Sequence, residues 1–134
     1  MHDFGMRVTS RMRADIDADM GIRTVLQTHL IVLSEYEDLY ARLISELTSL
    51  PEDVQISVVS IHSAISHSMF NAAKVEMEKG LIKKMPMSFL FTTWIGLIHH
   101  YLQNKRFYCI EGSLLKKRGH ELVENYMNLI SERN

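Results

Sequence analysis

The chain has little of what disulfide-stapled, membrane-spanning or catalytic modules depend on. Cys109 is the single cysteine among 134 residues, so an intrachain disulfide is excluded and a reducing compartment fits. There are only two prolines, Pro51 and Pro86, which leaves long stretches with nothing to interrupt a helix. The longest uncharged segment, 85–98, contains a proline and three hydroxyl side chains and ends at His99 and His100. It falls short of the roughly 20 apolar residues that a membrane span requires. Neither sign of charge dominates: 15 Lys and Arg face 16 Asp and Glu, for a net charge of −1. A duplex-binding module usually shows a basic excess, so this chain by itself is not expected to bind DNA. No export signal is visible at the N-terminus, and a cytoplasmic location is expected. H-E-x-x-H, C-x-x-C, Glu-x-x-His and glycine-rich phosphate loops are all missing. Gly112-Ser113-Leu114 lacks the flanks of a nucleophile elbow. These gaps predict a protein that is not an enzyme and uses no cofactor or metal.

What remains is apolar periodicity. With 46% apolar and 23% charged residues, the composition is that of one soluble globular domain. Nine methionines supply adaptable filler for its core. In the segment 86–106, Leu90, Trp94, Leu97 and Tyr101 recur at helical spacing. Phe91, Ile95, Ile98 and Leu102 form a second stripe about 100° away. Two stripes predict a helix with partners on two sides. The segment 113–132 follows the same pattern, with Leu115, Leu122, Tyr126 and Leu129 beside Leu114, Val123, Met127 and Ile130. Each segment has an internal glycine, Gly96 or Gly119, that costs roughly 1 kcal/mol relative to alanine. Close approach of another backbone would offset that cost.

Upstream, residues 1–18 read equally well as a helical remnant and as a tail. Asp19 is placed to cap a helix carrying Ile22, Val25, Leu26, Leu30 and Leu33. Ser34 and Glu37 have capping-box spacing and predict a second helix through Leu47. Pro51 opens a long helix that runs to Lys79, with Gly80 as its stop. Val54, Val58, Ile61, Ile65, Met69 and Ala72 form its main stripe, thickened by Val59, Phe70 and Met77. No period-2 run predicts a strand. The expected class is all-α, a bundle of about five helices.

The run W-I-G-L-I-H-H-Y-L, a short loop and K-K-R-G-H-E-L-V-E-N-Y-M-N-L-I resemble the last two helices of the TetR/AcrR family of transcriptional regulators. The order upstream is similar too: two medium helices, then a long one ending E-K-G-L-I. The likeness covers roughly residues 15–134, and the family's N-terminal helix-turn-helix domain has no counterpart in the sequence. It implies that residues 19–134 form a ligand-sensing and dimerisation domain, with residues 1–18 left from the linking helix. DNA would be reached only through a missing N-terminal domain. The partners implied are a second copy of the chain and a small apolar effector.

Two sets of site residues follow. A homodimer built from the last two helices as an intersubunit four-helix bundle would use Phe89, Thr93, Gly96 and His100 with Gly119, Leu122 and Tyr126. A ligand pocket would be lined by His29, Leu33, His62, Ile65, Met69 and Trp94, with the two histidines orienting the ligand. Two alternatives stay open: a ligand-free helical dimerisation module, and a metal-dependent bundle using His29, His62 or His67, and His99. Lys116, Lys117 and Arg118 fan out around their helix and read as solvated surface.

Overall fold

A computed structural model of the chain describes residues 21–132. The segment 1–18 and the proposed cap Asp19 lie outside the described residues. Within them the chain folds as helices α1 (Ile22–Ser34), α2 (Glu37–Ser45), α3 (Glu52–Glu78), α4 (Met87–Gln103), α5 (Lys105–Tyr108) and α6 (Leu114–Ile130). A single 3-10 turn, Leu47–Ser49, joins α2 to α3. The all-α expectation holds: the described residues contain no strand, only an isolated antiparallel bridge between Ile82 and Ser131. That bridge fastens the α3–α4 connector to the end of α6, through Lys83 N–H to Ile130 O at 2.7 Å and Glu132 N–H to Leu81 O at 3.1 Å.

Helix α3 ends as expected at a glycine. Gly80 has φ 73°, a left-handed conformation that side chains resist, and it lets Leu81 N–H close on Glu76 O at 2.9 Å. The expected capping box at Ser34 does not form. Ser34 Oγ donates back to Ile31 O, and α2 begins after Tyr36 without a side-chain cap. Glu37 instead reaches across the fold to the start of α6. Its buried carboxylate accepts from Ser113 Oγ at 2.6 Å, Leu114 N–H at 2.8 Å and Leu115 N–H at 3.0 Å. Glu76 does the same for α1, accepting Ile22 N–H at 2.7 Å. Exposed amides at a helix start favour a carboxylate whatever its position in the chain, and tertiary packing chose distant ones.

The core lies where α1, α4 and α6 meet, with α3 closing the side of α1. Trp94 sits at its centre, fully buried, with its ring 5.1 Å from that of Tyr126. The long-helix stripe Val58, Ile61, Ile65, Met69 and Ala72 is buried as expected. Val59 and Phe70 do not thicken it: they are 61% and 42% exposed. Truncating a buried residue such as Trp94 to alanine costs about 3–5 kcal/mol.

Candidate functional site

Buried polar side chains need partners, because leaving one unpaired costs about 1–3 kcal/mol. Three histidines and a tyrosine bring that requirement into the middle of this bundle. His29, on α1, is completely buried. Trp94 on α4 donates its Nε1–H to His29 Nδ1 at 2.9 Å. An acceptor at Nδ1 puts the proton of a neutral ring on Nε2. His29 Nε2 is the one buried side-chain nitrogen or oxygen among the described residues without a hydrogen-bond partner. Burial, and then the charges that His62 and His99 would carry, push the His29 pKa down to about 3. The ring is neutral at any physiological pH.

His62 of α3 and His99 of α4 meet at Tyr40 of α2. The Tyr40 hydroxyl lies 2.9 Å from His62 Nε2 and 2.6 Å from His99 Nε2. A phenol has one proton to give, so at most one imidazole can accept from it and the other must donate. The two rings therefore hold opposite tautomers. Burial lowers the His62 pKa, and burial followed by the His62 charge lowers that of His99 to about 4. Burial also raises the Tyr40 pKa. Neutral forms of all three are favoured, so the cluster offers hydrogen bonds rather than charge.

His62 also borders an open groove of about 590 Å³ beside α3 and α4. Val59, Phe70 and Phe91 give the groove apolar walls, and Ser63 and His67 add polar edges. The His62 ring meets Phe91 edge-on at 5.8 Å. Its volume falls in the range of small-molecule sites.

The expected ligand residues divide between core and groove. Leu33, Ile65, Met69, Trp94 and His29 are fully buried in the core of the chain, and only His62 reaches the groove. From the sequence, His62 and His99 come together only as candidate ligands in the metal alternative, and Tyr40 is not among them. Nothing in the sequence links residues 40, 62 and 99, since they lie on three helices. Among the described residues, no group of three or more His, Cys, Asp or Glu side chains is arranged to hold a metal ion.

The expected dimer residues also divide. Phe89, Gly96 and His100 are exposed along one side of α4, with Thr93 half-buried next to them. A side chain added at Gly96 would meet no atom within 4 Å. Gly119, Leu122 and Tyr126, expected at the dimer interface, are buried within the chain. Gly119 lies under Leu30 of α1, and the Tyr126 hydroxyl donates to Leu90 O at 2.7 Å. The apolar stripe of α1 requires cover, and α6 supplies it within the same chain. Among the described residues, no helix is long and apolar enough to cross a membrane. No family model, curated protein or solved structure matches this chain.

Proposed function

We propose that this chain is a small-molecule-sensing and homodimerising helical domain of the TetR/AcrR-like kind, acting on DNA only through a separate DNA-binding part. The carrying observation is the neutral Tyr40–His62–His99 cluster at the edge of an apolar groove. Orienting polar groups beside aromatic walls are what small-molecule recognition uses. The ligand is a small, mainly apolar molecule with one or two hydrogen-bonding groups for His62. It contacts α3 and α4 together, so it favours one relative placement of these helices and shifts the population toward it.

Dimerisation is proposed through the α4 face around Gly96. Glycine within a helix costs roughly 1 kcal/mol, and no packing within the protomer explains it here. Close approach of the same helix from a second copy supplies an explanation, as a two-fold contact. The row Ile56, Val59 and Phe70, exposed on α3, favours a second reading as a ligand-free protein-interaction module.

One experiment separates the two. Imidazole resonances of His62 and His99 are followed by NMR while a panel of neutral aromatic and aliphatic compounds is added, and sedimentation equilibrium is run on the unmodified chain and on Gly96→Leu. Saturable shifts at His62, with a dimer that Gly96→Leu weakens, are expected for a sensor. A dimer with no compound moving His62 favours the interaction module. A concentration-independent monomer whose His62 no compound moves refutes the proposal.

A further inference from the structure

Gly119 offers a second, independent reading of a glycine inside a helix. It is buried in the second turn of α6, which packs against α1. Close backbone contact does not require it: a Cβ placed there would meet only Leu30 Cδ1, at 3.5 Å, an ordinary van der Waals distance. Packing within the chain would therefore accept alanine. What the missing side chain leaves is space. Gly119 lies in a pocket of about 370 Å³ between α1 and α6. Leu30, Ile31, Leu115 and Val123 provide its apolar surface, and Ile31 is 56% exposed there.

Lys116 and His120, one helical turn apart on α6, are the pocket's ionisable residues; Gln27 and Ser34 are its other polar ones, and no carboxylate joins them. The neighbouring cations of the same run are occupied. Lys117 Nζ donates to Glu111 O, and Arg118 pairs with Glu121 at 3.1 Å. Lys116 lines the pocket, and its side chain has no ion pair among the described residues. A pocket with apolar walls, lined by a lysine and a histidine and by no carboxylate, is complementary to a carboxylate on a hydrocarbon body.

We propose that the α1–α6 pocket binds a small amphiphilic carboxylate, its headgroup at Lys116 and His120 and its apolar body over Gly119 against Leu30 and Ile31. The site is separate from the α3–α4 groove and does not depend on the sensor reading.

Octanoate is the probe, titrated into the full chain and followed by amide NMR, with octanol as the uncharged control. Saturable octanoate shifts are expected at Gly119, Lys116 and Ile31, with octanol binding more weakly. Lys116→Gln should weaken octanoate by about three- to fivefold, as expected for a partly exposed ion pair, and leave octanol unchanged. Gly119→Ala should fold, since its methyl has room, and should weaken both ligands by filling the pocket. Equal binding of octanoate and octanol, insensitivity to Lys116→Gln, or shifts confined to His62 and Phe91 would each overturn the proposal. A Gly119→Ala variant that folds and binds octanoate undiminished would overturn it as well.

Discussion

Trp94 and His29 are joined by a hydrogen bond of 2.9 Å in which the indole N–H fixes the tautomer of a fully buried imidazole. The bond needs a neutral His29, and the core around it keeps the ring neutral down to about pH 3. A property of one side-chain pair thereby becomes a property of folding.

Stability should fall as pH drops below about 6.5. The unfolded chain protonates His29 near 6.5, whereas the folded chain resists until about 3, so between these values the unfolded state binds more protons. At pH 5 the loss from His29 alone is about 2 kcal/mol. The depressed pKa values of His62 and His99 act in the same direction. Urea unfolding at pH 7 and pH 5 checks this, and His29→Gln should flatten the dependence. Equal midpoints at the two pH values would contradict it.

Removing the Tyr40 hydroxyl should cost about 1–3 kcal/mol, because Tyr40→Phe leaves His62 Nε2 and His99 Nε2 without their shared partner. A cycle with His62→Phe measures the coupling. The double variant should lose clearly less than the sum of the two single losses. Strict additivity would mean that the cluster carries no joint energy.

Glu37→Ala should destabilise the fold by about 2–3 kcal/mol through lost charge-assisted bonds at the start of α6. It also releases Lys105, whose Nζ lies 2.7 Å from the Glu37 carboxylate. Burial works to raise the Glu37 pKa, but bonds from Lys105, Ser113 and the Leu115 and Leu114 amides outweigh it, so the net pKa is lowered. Its stabilisation is complete above the ordinary carboxylate value of 4.5 and is lost as pH falls through the lower folded value. Hydrogen exchange should show the first turn of α6 opening earlier in the variant than in the parent. Unchanged protection at Leu114 and Leu115 would refute the cap.

Gly96→Ala should stabilise the isolated protomer by about 1 kcal/mol, since it improves helix propensity at a position with no atom in the way. Thermal unfolding at a protein concentration low enough for monomer reads this directly. A loss of stability under those conditions would show that Gly96 serves the protomer after all.

Much of the fold was legible before any coordinates. The two stripes of 86–106 became a helix buried on two sides, and Gly80 ended α3 because a left-handed residue was needed there. Glu37 shows where local reading failed. Its spacing from Ser34 met the capping-box pattern, but a carboxylate binds whichever free amides packing brings to it. The same limit applied to Leu122 and Tyr126, whose apolar character required burial without naming the surface that would bury them.

By itself, then, the sequence determined the all-α class, the main helix boundaries and most of the buried stripes. Helical periodicity and stop signals are local properties, carried by residues a few positions apart. Tertiary structure alone decided which apolar faces met inside one chain and which stayed open. It turned Gly119 toward α1 and left Gly96 bare. It also brought Tyr40 between His62 and His99, from 22 and 59 residues away. Hydrogen bonds act over about 3 Å of space, and no spacing along the chain encodes which three helices will bring their side chains that close.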